Sequence, residues 1–372
     1  MTWVWSAYIG VILGVIAFAL IFVPLLIVQF RKFGALNARR IVGAAAVAIY
    51  GAALVSYTMF PMPSPQWCNL NHSIRPEFVP LHSIDDIARA TAGLPLPQAL
   101  TSTATLQVVF NVILFVPWGI LVRRYFGRSF AFASFSGLAM SLAIEATQLT
   151  GVWGLVGCAY RVADIDDVIT NTTGAVLGAA LAPLILGWMP QARQLEATRD
   201  RARRVARPRR LVGMGLDLAT FWIGTYILAI VYRAVGLYGF GRPLPSGQSW
   251  MFSFVPMAIV AALMAAPSLL GSGASVGQRL VWLEPRWRGR PRRAVRYLTG
   301  FAPFAAAQLW AAAPHVDPGI PAALGTCWLL LAGIGVIADK SARGISYRLA
   351  RVELVDPRAS AGGLQRPVQP TP

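Results

Sequence analysis

The sequence predicts an all-α membrane protein, a polytopic membrane helix bundle of about nine transmembrane helices in two modules. Of the 372 residues, 56% are hydrophobic and only 13% are charged, whereas soluble domains have about 25% charged residues. The apolar residues form blocks close to the ~20 residues that a helix needs to cross a bilayer. Short basic stretches separate these blocks, as expected for loops between membrane helices.

The apolar spans follow one another along the whole chain. Their approximate limits are residues 4–30, 39–61, 106–122, 130–149, 168–188, 211–231, 251–270, 297–313 and 320–337. The sequence therefore divides into four parts. We predict a five-span membrane domain over residues 1–190, a basic cytoplasmic linker over 191–210, a four-span membrane domain over 211–352 and a disordered cytoplasmic tail over 353–372.

The basic residues predict the orientation of these spans. Alternate loops contain 28 of the 33 Lys and Arg residues, and the positive-inside rule assigns those loops to the cytoplasm. We therefore expect a multi-pass membrane protein with its N-terminus outside and its C-terminus in the cytoplasm. The net charge of +18 does not indicate nucleic-acid binding. The arginines lie between membrane spans, where they set topology and attract anionic lipid.

Polar side chains concentrate in the predicted outer part of span four. Ser141, Glu145 and Gln148 follow one another at i, i+4 and i+7, so they share one helix face. Span three places Asn111 in its own outer half. An ionisable residue inside a membrane span is energetically costly and is by default a functional candidate.

The start of span five adds three carboxylates, from Asp164, Asp166 and Asp167, with Asn171 one turn deeper. The same face continues into Gly174-xxx-Gly178, which predicts a close approach to a neighbouring helix. We expect spans three, four and five to pack together. The predicted ligand-binding residues of the resulting outer pocket are Asn111, Glu145, Gln148, Arg161, Asp164, Asp166, Asp167 and Asn171.

Two interpretations of this cluster compete. Amides and hydroxyls in membrane helices often only bond a neighbouring helix, and Asn111 taken alone fits that role. Four carboxylates near one helix end exceed what packing requires, so we favour a functional site. Arg161 or a hard cation could neutralise them. The spacing of these residues identifies no metal and no cofactor. The sequence contains no HExxH or Ser/His/Asp motif.

Three segments together resemble the VanZ-like family: Asn111-Val-Ile-Leu-Phe-Val-Pro-Trp-Gly119, Ser141-Leu-Ala-Ile-Glu-Ala-Thr-Gln148, and the stretch from Arg161 to Gly174. The resemblance covers about residues 40–188. Members of this family are associated with low-level resistance to glycopeptide and lipopeptide antibiotics such as teicoplanin. The resemblance therefore implies a protein of the bacterial plasma membrane with a role in the cell envelope, and it supplies no reaction.

The second module resembles the RDD family, which is named for an arginine and two aspartates. The counterparts here are Arg210, Asp217 and Asp339, and the resemblance covers about residues 205–355. Tyr347 stands where family members usually have an acidic residue. Some RDD proteins are linked to ion transport. From the sequence alone, we interpret Asp217 as a helix aspartate that pairs with Arg210 and fixes the packing of this helix.

These observations leave three functions open. The first is a non-enzymatic envelope protein that binds a lipid-linked cell-wall precursor, a lipophilic antibiotic or another amphiphile at the outer pocket, among membrane lipids. The second is an enzyme acting on a lipid headgroup, which we rank lower because no nucleophile–base pair is visible. The third is an ion-coupled transporter using Glu145 and Asp217. The oligomeric state stays open, as does a disulfide between Cys68 and Cys158.

Overall fold

A computed structural model describes residues 2–59, 68, 75–156, 158–159, 161–241 and 250–361, and for residues 2–10, 360 and 361 it describes the backbone alone. The parts of the sequence predictions that fall on residues 60–61 and on the tail from residue 362 lie outside these ranges. Within them the all-α fold class is confirmed, because helices form nearly all of the regular structure and the sheet has two short strands.

Two compact units divide the chain. Unit 1 comprises the residues up to Phe22 and Asn37–Leu195, and unit 2 comprises Val23–Leu36 and the chain from Glu196 onward. The first helix therefore contributes its first part to unit 1 and its last part to unit 2. The helices from the N-terminus to the end of unit 1 are α1 (Thr2–Phe33), α2 (Ala38–Met59), α3 (His82–Thr91), α4 (Leu96–Leu100), α5 (Thr103–Ile120), α6 (Phe130–Leu149), α7 (Ile165–Ile185) and α8 (Ala192–Glu196).

Unit 2 combines three long helices with several short elements. They are α9 (Arg207–Ala234), α10 (Met251–Leu269), α11 (Val276–Leu280), β1 (Glu284–Trp287), α12 (Arg293–Leu298), α13 (Ala302–Ala311), α14 (Gly319–Ala338), α15 (Gly344–Leu349), β2 (Val352–Val355) and α16 (Arg358–Ala361). Two of the long helices end in a π-helical turn, α5 with Leu121–Tyr125 and α9 with Val235–Gly239. The strands pair antiparallel, with Glu284 opposite Val355.

Eight of the described helices are long and apolar enough to cross a membrane, namely α1, α2, α5, α6, α7, α9, α10 and α14. Large apolar side chains point away from the protein on these helices: Leu184 is 80% exposed and Ile230 is 67% exposed. A lipid environment would cover such surfaces, whereas water would not. The chain is therefore a multi-pass membrane protein.

The structure does not form the single membrane span that the sequence predicts at residues 297–313. The structure forms two short helices there, α12 and α13, with a break at Thr299–Phe301. Pro303 lies in the first turn of α13, where proline is tolerated, but its ring would clash with the carbonyl four residues earlier if one helix ran through. The 10 residues of α13 extend for only ~15 Å, about half of a bilayer core.

Close backbone packing joins α7 to α5, as the small-residue face predicts. A Cβ atom built on Gly178 would lie 2.0 Å from the carbonyl oxygen of Val116, and one on Gly174 would lie 2.1 Å from that of Val112. Only glycine permits these approaches. The core of unit 1 forms around Phe115 and Ile144, and α6 also packs on α7. The predicted grouping of spans three, four and five is confirmed.

The C-terminal segment also differs from the prediction of a disordered tail over 353–372. Residues 352–355 form β2, and Asp356 behind it is only 4% exposed. Its carboxylate contacts the guanidinium groups of Arg209 at 3.0 Å and Arg358 at 2.7 Å. Burial opposes ionisation, but these arginines and the Arg203 amide lower the pKa of Asp356 to about 2. Ion pairing holds a segment whose composition alone suggests disorder.

Candidate functional site

The predicted carboxylate cluster lies at one end of unit 1, where α6 ends and α7 begins. Glu145 and Gln148 occupy the last turns of α6, and Asp164 is the N-cap of α7. The Asp164 side chain accepts a hydrogen bond from the backbone N–H of Asp166 at 2.8 Å. Carboxylates are favoured at a helix N-terminus by capping and by the helix dipole. Local helix chemistry therefore explains part of the cluster.

Two hydrogen bonds join α7 to the helices beside it. Asn111 Nδ2 on α5 donates to Asp167 Oδ1 at 2.5 Å, and Asn171 Nδ2 donates to Ser141 Oγ on α6 at 2.9 Å. Asn171 is only 5% exposed, yet its Oδ1 has no hydrogen-bond partner among the described residues. Buried polar atoms are nearly always paired in native proteins. This amide oxygen is therefore a buried acceptor that no described residue fills.

Glu145 is buried beside the other carboxylates. Its Oε2 accepts the backbone N–H of Asp164 at 3.0 Å. The charges of Asp164, Asp167 and Arg161 are close enough to act on it, and Arg161 also acts on Asp167. Arg161 thus partly offsets the negative charge. Gln148 has a different role, because its Nε2 donates to the Thr58 carbonyl oxygen of α2 at 2.8 Å and so joins two helices.

Asp166 is anchored to the loop that precedes α3. Its Oδ1 accepts the backbone N–H of Leu81 at 2.6 Å, and its Oδ2 accepts that of Ser83 at 2.8 Å. The residue is only 3% exposed. Both carboxylate oxygens are engaged by backbone donors, so the geometry gives Asp166 a positioning role: it holds the loop over the start of α7.

His82 belongs to the same cluster, although the sequence did not predict it as a site residue. Its Nδ1 lies 3.2 Å from Asp166 Oδ2, and its Nε2 lies 3.6 Å from Asp164 Oδ2. Burial opposes protonation of His82, but the Val79 carbonyl and the neighbouring carboxylates outweigh it and raise the pKa of the ring. For Asp164, burial is the main cause that raises the pKa.

Three side chains of this cluster have the geometry to hold a cation. One ligand atom each from His82, Asp164 and Asp166 lies within 4.8 Å of the other two. A metal ion bound at about 2.0–2.5 Å from each ligand fits between atoms at such separations. Imidazole with carboxylate oxygens suits zinc or manganese better than calcium. Asp166 already accepts two backbone N–H groups, so it would offer a remaining lone pair.

Two further contacts join the loop to the chain segment that leads into α7. Glu77 pairs with Asp164 as an isolated parallel bridge, in which Ile165 N donates to Glu77 O at 3.0 Å. A disulfide joins Cys68 to Cys158, with their Cα atoms 5.6 Å apart. Contacts across about 80 to 90 residues of sequence bring His82 to the cluster. The local sequence around His82 contains no signal that could have revealed them.

The arginine and aspartates of the predicted RDD motif lie in unit 2. Asp217 does not pair with Arg210 as expected: its oxygens accept the Ser275 hydroxyl at 2.6 Å and the Gly277 N–H at 2.7 Å, and no ion pair joins it to Arg210 within unit 2 as described. Asp339 instead pairs with Arg348 at 3.1 Å. The Arg348 guanidinium is the main cause that holds the pKa of Asp339 well below its usual range.

The fold and the cluster define a class: a multi-pass helical membrane protein with a buried polar cluster at one end of its first unit. Residues 47–186 match the model of the VanZ/LLP1 family. This range contains α5, α6 and α7 and all of the clustered residues, and it supports the VanZ-like assignment of this part of the chain. The match ends before unit 2. No curated protein matches the chain, and no solved structure matches it.

Proposed function

We propose that the protein binds an amphiphilic ligand of the bacterial cell envelope at the carboxylate cluster of unit 1, without chemically changing it. The observation that carries this proposal is the convergence of Asn111, Glu145 and Asp167 on three packed helices, with an unfilled buried acceptor on Asn171. The match to the VanZ/LLP1 family supports it. Lipid-linked cell-wall precursors and lipophilic glycopeptide antibiotics are the ligands in question.

The charge of the cluster favours one kind of ligand group. Four carboxylates from α6 and α7 exceed the single nearby charge of Arg161, even when His82 is protonated. Such a surface attracts amines and donor-rich sugars or amides and repels phosphate. The part of the ligand that enters the cluster is therefore its amine, hydroxyl or amide portion, and the apolar part stays in lipid.

Two observations support an outer location for this cluster. The basic loops hold 28 of the 33 Lys and Arg residues, which assigns the opposite helix ends to the outside. The disulfide between Cys68 and Cys158 belongs to the same end of unit 1, and disulfides persist in oxidising, extracytoplasmic compartments. With this orientation the N-terminus lies outside the plasma membrane, and the C-terminal segment lies on its cytoplasmic side beside the start of α9, where Asp356 contacts Arg209 and Tyr347 contacts Arg210.

Antibiotic susceptibility tests the proposal in cells. The gene is expressed in a susceptible strain, and the teicoplanin concentration that stops growth is compared for wild type, Glu145→Gln, Asp167→Asn and Asp85→Asn. Asp85 is an exposed carboxylate on α3 and serves as the matched control. Membrane levels are equalised by immunoblot. We expect wild type and the Asp85 variant to raise the inhibitory concentration and the two cluster variants to lose that effect. Full resistance in both cluster variants would overturn the proposal.

A second candidate function is an enzyme that uses a cation at His82, Asp164 and Asp166 on a lipid headgroup. The separation of at most 4.8 Å between the three ligand atoms favours it, since a bound metal can activate water or polarise a phosphoryl oxygen. Purified protein incubated with lipid-linked precursors decides between the two functions. Turnover that is removed by chelator and by Asp164→Asn identifies an enzyme, whereas binding without turnover supports the non-enzymatic function.

A further inference from the structure

Unit 2 contains a cavity of its own at the end of the unit where α9 begins and α10 and α14 end. The cavity is open to the surroundings, and its empty space together with the solvent at its mouth is about 770 Å³. The polar wall is formed by Arg210, Asp217, Ser275, Gln278 and Arg296.

Two of the arginines in this wall are buried without complete hydrogen bonding. Arg210 and Arg296 are each only 5% exposed. Within the part of the chain that the structure describes, Nε and Nη1 of Arg210 and Nε of Arg296 have no hydrogen-bond partner. Arginine stays protonated in proteins, so loss of a proton cannot remove the energetic cost of burying these charges.

The groups around Arg210 do not neutralise it. Its guanidinium lies 4.7 Å from the ring centre of Tyr347, and the Tyr347 hydroxyl donates to Gln278 Oε1 at 2.9 Å. The Tyr347 ring therefore offers only the face of a neutral aromatic group. Arg296 donates from one terminal nitrogen to the carbonyl oxygens of Ser268 and Gly273, which are also neutral.

The acid in the wall is already engaged elsewhere. Both carboxylate oxygens of Asp217 accept donors from the start of α11, namely the Ser275 hydroxyl and the Gly277 N–H. Two buried guanidinium groups thus face one carboxylate that bonds neither of them. The cavity has a net positive charge and unfilled N–H donors, which is the electrostatic complement of an oxyanion.

The opposite wall is apolar. It is formed by Phe301 and by α14 side chains, among them Trp328, Leu329 and Leu331, and the Trp328 indole N–H is satisfied by the Gly300 carbonyl at 2.7 Å. Leu331 is also 53% exposed on the outer surface of α14, a helix long and apolar enough to cross a membrane. An apolar chain beside this wall would pass from the cavity into lipid.

We propose that the unit 2 cavity binds a phosphate-type oxyanion on Arg210 and Arg296, with the wall along α14 open to an apolar chain attached to that oxyanion. Guanidinium groups bind phosphate through parallel N–H donors, and Arg210 and Arg296 both line the cavity with incomplete hydrogen bonding. The source of the phosphate is either an anionic membrane phospholipid or a soluble phosphate compound. This site is separate from the unit 1 cluster, and its test does not depend on the function proposed there.

Thermal unfolding of the full chain in nonionic detergent tests the site. The midpoint temperature is measured with added dioctanoyl-phosphatidylglycerol, with inorganic phosphate and with uncharged dioctanoylglycerol. Ligands that bind only the folded state raise the midpoint. We expect phosphatidylglycerol to raise it and dioctanoylglycerol not to do so. An equal rise with phosphate alone identifies a soluble phosphate as the source, and a rise with the lipid alone identifies the phospholipid.

Three variants assign the effect to the arginines. In Arg210→Gln and Arg296→Gln, the phosphatidylglycerol concentration that gives half of the maximal midpoint rise should increase by about tenfold or more. Each substitution removes a charged donor pair. Arg292→Gln removes an exposed arginine just before α12 and should leave this concentration unchanged. Arg210→Lys retains the charge without the planar fork and should show an intermediate loss.

A ligand-free measurement separates binding from a structural role. Arg210→Met replaces a buried, incompletely bonded charge by an apolar chain, so the midpoint without ligand should stay equal or rise while the lipid effect disappears. The proposal is overturned if neither phosphate ligand shifts the wild-type midpoint. It is equally overturned if the shift persists in both glutamine variants, or if Arg210→Met lowers the ligand-free midpoint and retains the lipid effect.

Discussion

Removal of the Asp166 carboxylate should release the loop that precedes α3. The two oxygens of Asp166 accept the backbone N–H groups of Leu81 and Ser83 at 2.6 and 2.8 Å, and the residue is 3% exposed. A hydrogen bond to a charged group contributes about 1.5–3 kcal/mol. Asp166→Ala should therefore destabilise the docked loop by about 3–6 kcal/mol, the sum of two such bonds.

Hydrogen exchange of the purified protein measures this effect. A loss of 3–6 kcal/mol corresponds to about 100-fold or faster opening at ~1.4 kcal/mol per tenfold, confined to peptides from residues 75–91. Asp166→Asn retains one acceptor and should show a smaller increase. Asp85→Asn, an exposed carboxylate on the same loop and helix, should show none. Unchanged protection of these peptides in Asp166→Ala would refute the positioning role of Asp166.

Two further perturbations probe the remaining structure. Gly178→Ala should destabilise unit 1, because the added Cβ would lie 2.0 Å from the Val116 carbonyl oxygen. The control Gly51→Ala in α2 places its Cβ in open space and should be neutral or stabilising. Denaturant unfolding in detergent compares the two variants, and equal unfolding midpoints would contradict the close α5–α7 packing. Asp356→Asn should destabilise unit 2 by about 3–5 kcal/mol, because Arg209 and Arg358 lose their buried partner. The folded-state pKa of Asp356 is about 2, below the ~3.9 of an unfolded aspartate, so its contribution is complete above pH ~4 and is lost as the pH falls toward 2. Unfolding midpoints that fall equally with acid in wild type and Asp356→Asn would contradict this pH dependence.

The sequence predicted the long helices well because a membrane span requires a continuous apolar run. It failed at residues 297–313, where average hydropathy hides the break that precedes Pro303. It also predicted a disordered tail where buried ion pairs around Asp356 order the chain. Composition describes single residues, whereas these two outcomes depend on backbone sterics and on partners distant in sequence.

The unit 1 site was predictable as far as helical periodicity reaches. Spacing alone placed Glu145 with Gln148 and Asp167 with Asn171 on common faces. It could not reveal that Asp166 would bind a loop, that Gln148 would bond α2, or that His82 would join the carboxylates. Each of these contacts depends on how a long loop folds back, and a local pattern contains no information about that.

The arginines of unit 2 show the same limit. The sequence suggested that Asp217 pairs with Arg210, because the two residues lie seven positions apart on one helix face. In the structure the Asp217 carboxylate accepts hydrogen bonds from the Ser275 hydroxyl and the Gly277 N–H, and the hydrogen bonding of the Arg210 guanidinium is incomplete. The packing of α11 against α9 determines which donors bond the Asp217 carboxylate. Such tertiary packing cannot be read from spacing along one helix.

Direct binding tests the central claim that the unit 1 cluster receives an amphiphilic ligand. Purified wild-type protein, Asp167→Asn and Asp85→Asn are placed in lipid nanodiscs and titrated with teicoplanin, and tryptophan fluorescence reports the bound fraction. The account predicts saturable binding by wild type and by the Asp85 variant. It predicts binding weaker by about tenfold or more for Asp167→Asn, which loses a charged group. The same affinity for all three proteins, or no binding by wild type, would contradict it.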